Sequence, residues 1–407
     1  MKTRILVVAP YPIKNPMHGG QKRTQALVKR YRELSYDVTF AAVYLKASYK
    51  EASASDIAVS SDTIQHHLSE HPELTDIITG SALTSDNKTK TIFTSLLKRA
   101  RPQVIHVEQP YMVDSVRTVI NEIGLKSIII FGSQNVESEM KRGIYKKVLT
   151  KSALEKLVKR TSDIEHEAVE IADIVLAVSL YDLDVLTKNT RFKPKFVVRN
   201  GIEQPSAHIA KMNEWAVLKK DEQIKHLATF IGSAHPPNYD GFNKLIANAE
   251  IAADTRIVVG GGVGSLIKSH YTAHDQLWNK IIAPGTLSKV SLRSLIHESD
   301  VILLPILSGG GSNLKTAEAI ISGKKIVTTE YAFRGYEQYL SLPNIYVANS
   351  PKAFETALKA AINANYVRLS TKQNKLVQAV TWPYALKNMK YVLTCTYILR
   401  LIRKLRL

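Results

Sequence analysis

Only one cysteine, Cys395, occurs among 407 residues, so no disulfide can form within the chain. The start MKTRILVVAP runs straight into a strand-like segment and lacks the long apolar core and small-residue cleavage site of a secretory leader, which with the lone thiol implies a reducing, cytoplasmic setting. No apolar run reaches the roughly 18 to 20 residues needed to cross a bilayer, and the best candidate, Tyr391 to Ile402, is short. Acid is also scarce. Against 55 Lys and Arg stand 36 Asp and Glu, a net charge of +19 that asks for an anionic partner. Two regions concentrate it and read as surface patches: Lys141 to Arg160, and a tail holding Lys387, Lys390, Arg400, Arg403, Lys404 and Arg406 without one acid. No base-reading module is recognisable in either, which argues against nucleic acid. The dinucleotide pattern G-x-G-x-x-G is missing too: its nearest match, Gly260 to Ser265, has Ser265 in place of the third glycine.

What the chain does have is length and apolar content for two cores, 45% of it being hydrophobic. Short apolar runs rich in β-branched residues recur at Arg4 to Ala9, Val38 to Val43, Val104 to Val107, Ser127 to Phe131, Ile174 to Val178 and Phe196 to Val198. A second series follows at His226 to Ile231, Arg256 to Val259, Lys280 to Ala283, Val301 to Leu304, Lys325 to Thr329 and Asn344 to Val347. Helix-length stretches separate most of them, which predicts two α/β halves with buried parallel sheets. The polar stretch Ala207 to Lys225 is the expected connector. The reading divides the chain into residues 1–205, residues 206–380, and a C-terminal helix and basic tail over 381–407.

One loop carries the strongest chemical signal. Leu303-Leu304-Pro305 ends a strand, Ser308 to Ser312 is rich in glycine, and Asn313 to Ser322 has helical spacing. Glycines Gly310 and Gly311 would let backbone approach a diphosphate, and the helix start would attract its charge. Lys315 in the first turn is unfavourable beside the helix dipole without an anion nearby, and Glu318 one turn on could accept hydrogen bonds from ribose hydroxyls.

This segment, SGGGSNLKTAEA, resembles the donor-binding motif of GT-B glycosyltransferases, especially glycosyltransferase family four, whose helix reads roughly N-L-K-x-x-E-A-x-x-x-G. Asn313, Leu314, Lys315, Glu318, Ala319 and Gly323 match. Many relatives carry two glutamates eight positions apart, and here Gly310 stands at the first position. Further resemblances are His18-Gly19-Gly20 to the family's glycine loop facing the donor phosphates, Arg199 to Ile202 to its N-G turn, and Phe230 to Ser233, with Gly232, to the first strand and turn of the second domain. The basic pair usual soon after that strand is absent, the segment reading GSAHPPNYDGF. The resemblance therefore leans on Lys315, backbone amides and Arg334 for the diphosphate.

It implies a GT-B fold, two Rossmann-like domains facing across a cleft, with a C-terminal helix starting near Trp382-Pro383 and crossing back to the first. It also implies hexosyl transfer from a nucleoside-diphosphate sugar with retention, the leaving diphosphate being stabilised by amides and cations, with no metal and no cofactor. On the acceptor side Glu108 or His106 would orient or deprotonate a hydroxyl of a saccharide or lipid-linked acceptor, flanked by Gln134, Asn135 and Glu137. For His106, a histidine facing the core is an equal reading. Asp182 and Asp184 read as first-turn acids of a helix capped by Ser179 and not as a metal site, and His166 as part of a solvated helix face. Tyr391 to Leu407 spaces Leu393, Tyr397, Leu401 and Leu405 at four-residue intervals among basic residues. Its first part is expected to pack and its last ten residues to meet an anionic membrane or a lipid-linked acceptor. The placing is cytoplasmic, peripheral on the inner face of the cell membrane. Two rival readings stay open: a sugar-nucleotide epimerase of the same architecture, and a non-enzymatic protein binding anionic membranes.

Overall fold

The structure, a computed structural model, describes residues 2–49, 52–59, 64, 71–188, 190, 193–204, 213–310 and 313–405. Its described residues fall into two compact units, one from 2–200, Gly310 and 385–405, the other from 201–309 and 313–384.

The first unit holds strands β1 (Arg4–Ala9), β2 (Asp37–Leu45), β3 (Ile57–Val59), β4 (Val104–Glu108), β5 (Ile128–Gly132), β6 (Ile174–Ala177) and β7 (Lys195–Val197), in the spatial order β3-β2-β1-β4-β5-β6-β7. The second holds β8 (His226–Ile231), β9 (Thr255–Gly260), β10 (Ile281–Gly285), β11 (Val301–Leu304), β12 (Lys325–Thr328) and β13 (Ile345–Val347), in the order β10-β9-β8-β11-β12-β13. Pairings such as Val7 with His106 and Ile302 with Ile326 are parallel, so helices must carry the chain back between strands. Each expected strand is present, and β3 is added to them. Its three residues are too few to show a period.

Both sheets are covered on two faces, which is why their strands read as continuous apolar runs. Leu6, Val8, Ile105, Ile129 and Phe131 pack with Phe93, Met112 and Val116 in one core of the first unit. In the second unit Phe230, Val259 and Leu303 meet Phe242 and Phe354, while Leu304, Ile320 and Ile326 meet Phe333 and Tyr336.

The helix Met389–Leu405 belongs to the first unit. It buries Met389, Val392, Leu393 and Thr396, Arg400 Nη1 donates to Thr3 Oγ1 (3.1 Å), and Arg403 donates to the Ser127 carbonyl (3.0 Å) and Asp173 Oδ1 (2.5 Å). Ser179 caps the helix Leu180–Thr187, accepting from the Asp182 amide at 3.0 Å.

His166 is exposed as expected, but one surface expectation fails. Lys141 is only 3% exposed, held by Asp76 at 3.0 Å beside the Tyr111 ring. On the helix Lys151–Ile171, Glu165 is buried, because its carboxylate accepts from the amides of Glu137 (2.5 Å) and Ser138 (3.2 Å) at the start of the helix Glu137–Tyr145.

Candidate functional site

In the second unit β8, β11 and β12 are neighbours, and the loops leaving their carboxyl ends hold the sequence-predicted donor residues. After β11 the chain passes Ser308 to Gly310 and enters the helix Leu314–Ile321, which Asn313 caps by accepting from the Lys315 amide at 3.2 Å. Leu314 packs on the core beneath, and Gly310 is half-buried. Gly311 and Ser312 lie outside the described residues. Gly232 follows β8 and abuts Asn238, toward which a Cβ on Gly232 would crowd.

Lys315 Nζ donates to Asn238 Oδ1 at 2.6 Å and stands 5.9 Å from the centre of the Phe230 ring. Burial lowers its pKa from the usual lysine range to about 8, against the opposing pull of Glu318. Burial, and then the charge of Lys315, lowers the pKa of His235 as well. A cation two positions into a helix, with a neutral amide as its hydrogen-bond acceptor, is positioned to gain from an arriving anion. Lys315, Glu318 and Ala319 border a small void of about 20 Å³ beneath the helix, with Ile231, Ile296 and residues 302–304, room for about one water molecule.

The loop after β12 is tied to this helix. Thr316 Oγ1 donates to the Ala332 carbonyl (2.5 Å), Thr329 Oγ1 to the Ile306 carbonyl and the Tyr331 hydroxyl to the Gly309 carbonyl. Arg334 lies over the Tyr331 ring and donates to its hydroxyl at 3.3 Å. The structure thus brings Arg334 to the glycine loop through Tyr331, which sequence reading passed over.

In the first unit β1, β4 and β5 are neighbours, and their carboxyl ends gather Tyr11, Glu108, Gly132 and Gln134. Gly19 and Gly20 are the first residues of the helix Gly19–Glu33. His18 caps it with a capping box: Gln21 N donates to His18 Nδ1 at 3.4 Å, and Gln21 Oε1 accepts from the His18 amide at 3.3 Å. A Cβ on Gly20 would lie 2.6 Å from Gln134 Oε1 and 2.7 Å from the Tyr11 hydroxyl, so only glycine fits against them.

Glu108 differs from the base expected to face an acceptor, and His106 follows its other reading, a histidine facing the core. Both are fully buried. Glu108 Oε2 lies 3.4 Å from Arg23 Nε and accepts from Gln134 Nε2 at 2.6 Å, and Oε1 lies 3.0 Å from His106 Nε2. The other ring nitrogen of His106 is 2.8 Å from the Tyr31 hydroxyl. Burial pushes the Glu108 carboxyl up, but Arg23, His106 and Gln134 together hold it below its usual range. A carboxylate sealed from solvent and paired with Arg23 and Gln134 is a structural anion and a poor free base. Gln134 passes the arrangement outward, its Nε2 also donating to the Tyr11 hydroxyl at 2.5 Å.

Arg23, which sequence reading missed, is 0% exposed and also donates to the Val198 carbonyl (2.9 Å) and Asn200 Oδ1 (3.1 Å). Its signal was available: a charge in register with Leu27 and Tyr31 on the apolar side of its helix. Gly132 closes β5 beside Glu108 and His106, and a Cβ there would stand 2.2 Å from Glu108 Oε1.

Glu137 also lies inside, 1% exposed, accepting from the Tyr111 hydroxyl (3.1 Å) and Asn135 Nδ2 (3.0 Å). Burial, with Asp76 and Glu165 adding to it, raises its pKa to about 7. Asn135 is half-buried. Among the described residues no group of three or more His, Cys, Asp or Glu is placed to hold a metal ion.

Residues 225–364, which span the whole six-stranded sheet with Lys315, Glu318 and Arg334, match the family model described as Glycosyl transferases group 1. No curated protein matches the chain. Among solved structures it is similar to sucrose-phosphate synthase from Thermosynechococcus elongatus, with TM-score 0.68 and 12% identity over 97% of this chain and 99% of that one. It is also similar to Anabaena HepE in complex with UDP (TM-score 0.62, 10% identity, 97% and 100% coverage). The lipopolysaccharide outer core galactosyltransferase WaaB resembles it at TM-score 0.60 and 12% identity, over 97% and 99% of the two chains. At such identities the likeness fixes the fold, two Rossmann-like domains of the GT-B class.

Proposed function

We propose that this glycosyltransferase takes a hexosyl group from a nucleoside-diphosphate sugar held at the carboxyl ends of β8, β11 and β12. The observation that carries the reading is Lys315: a half-buried lysine at a helix start, bonded to a neutral amide, with Glu318 one turn on. Lys315, the amides entering its helix and Arg334 receive the diphosphate, and Glu318 receives the ribose. HepE, of the same fold, is known with UDP, which supports a uridine nucleotide as the first probe.

The chemistry assigned to these groups is stabilisation of the leaving diphosphate, whose charge grows as the glycosidic bond breaks. No metal is needed for that. Asn238, set where relatives by resemblance carry a cation, accepts from Lys315 and fixes its side chain. Transfer proceeds with retention, as in family four, and the acceptor is a saccharide or lipid-linked saccharide of cell-surface polysaccharide or glycolipid. The enzyme works in the cytoplasm at the inner face of the cell membrane. Glu108, His106 and Arg23 act as positioning residues, setting Gln134 and Tyr11 against Gly20.

The test is product analysis. Uridine-diphosphate sugars are incubated with and without a mixed saccharide and glycolipid extract, and the products are separated by mass. Transfer predicts acceptor gain together with free nucleoside diphosphate. An isomerised sugar nucleotide formed without acceptor would replace the reading with that of an epimerase.

A further inference from the structure

The helix Met389–Leu405 has two apolar sides. Met389, Val392, Leu393 and Thr396 pack against the first unit. At 100° per residue, Ile398, Leu401, Ile402 and Leu405 fall on the opposite side with Tyr397 at its edge, all exposed, Tyr397 at 59% and Leu405 at 86%. Five large apolar side chains in one stripe are more than scattered surface residues account for.

The surroundings of the stripe are basic. From Lys387 to Leu405 the sequence has five cations and no acid. The Arg400 bond to Thr3 brings the helix beside Lys2 and Arg4, which with Arg32, Tyr36, Asp37 and Val38 line an open depression of about 500 Å³. Thr3, Ser127 and Asp173, to which the helix is fastened, all precede their strands, so this surface lies at the amino ends of β1, β5 and β6. Glu108 and Gln134 sit at the other ends.

We propose that this surface docks on an anionic lipid bilayer, the apolar stripe entering the interface while Lys404, Lys2, Arg4 and Arg32 meet lipid phosphates. Lys404 flanks the stripe, and the tyrosines Tyr391 and Tyr397 are exposed along the same helix, as side chains that settle at headgroup depth. Charge complementarity selects this occupant. A second copy would set the same cations against themselves on a chain of net charge +19, whereas anionic headgroups attract each of them. Among the described residues no helix is long and apolar enough to span a membrane, so the contact is peripheral. The inference is independent of which sugar is moved.

The full chain is sedimented with vesicles of phosphatidylcholine, alone or with phosphatidylglycerol. It is compared with the triple variant Ile398→Ser, Leu401→Ser, Leu405→Ser, whose substitutions fall on exposed positions. Wild type should bind the anionic vesicles, at least about tenfold less tightly when salt is raised or the anionic lipid omitted. The variant should lose at least about tenfold, with its unfolding midpoint and UDP affinity unchanged. Failure of wild type to bind anionic vesicles, equal binding by the variant, or a lipid-free dimer that the variant abolishes would each overturn the proposal. UDP binding is read separately, so a failed donor site leaves the vesicle result standing.

Discussion

If Lys315 meets the diphosphate, nucleotide binding must weaken as pH rises past the point where the free lysine loses its proton. That point is about 8, because burial disfavours the ammonium. A bound diphosphate restores the reason to be charged, so binding is coupled to proton uptake above pH 8. With the proton held throughout in the complex, the affinity for UDP should fall about eightfold between pH 7.5 and 9.0. Lys315→Ala removes one charge-assisted contact of about 1.5 to 3 kcal/mol, so at pH 7.5 it should bind UDP about 10- to 150-fold more weakly. Its affinity should no longer follow this titration. Lys315→Arg, charged throughout, should also lose the slope. Isothermal titration over this range, in two buffers of different ionisation heat, reads affinity and proton uptake together. A wild type with flat affinity and no proton uptake, or a Lys315→Ala chain equal to wild type, would refute the reasoning.

The first unit supplies three more outcomes. Arg23→Met leaves Glu108 buried without its cation and should cost about 3 to 5 kcal/mol in urea unfolding; a loss under about 1 kcal/mol would show that the pair is not a structural anchor. Gly132→Ala forces a methyl group against Glu108 Oε1 and His106 Nε2, so a destabilisation of about 1 to 3 kcal/mol is expected, and an unchanged midpoint would contradict the geometry. Glu137, with its pKa raised to about 7, binds more protons folded than unfolded between the usual glutamate range and neutrality. Stability should therefore decline as pH rises through that window, and Glu137→Gln should flatten the decline, gaining about 1 to 3 kcal/mol at pH 8 relative to wild type. Parallel curves for the two proteins would refute the assignment.

The strands were legible because a two-sided sheet demands uninterrupted apolar runs, as in Arg4 to Ala9 and Val301 to Leu304. The Lys315 helix was legible because asparagine at its cap and glycines before it are local requirements. The state of Glu108 was not. Its partner Arg23 comes from a distant segment, and a carboxylate at a strand end looks the same in sequence whether open or sealed. Glu165 and Lys141 likewise depend on which turn of a helix meets which neighbour, a choice made by tertiary packing and not by spacing. The tail showed its periodicity in sequence, yet which apolar side would be buried became visible only through the contacts of Arg400 and Arg403.

The central claim, that the loop and helix around Lys315 and Glu318 hold a nucleotide-sugar donor, is tested most directly by nucleoside-diphosphate release from a panel of sugar nucleotides with acceptor extract. Wild type and Glu318→Ala are compared. The account predicts turnover of at least one donor, with kcat/KM lower by about 10- to 100-fold in the variant, as for a lost hydrogen bond to a charged group. Turnover of no sugar nucleotide by wild type, or equal kcat/KM in Glu318→Ala, would contradict it.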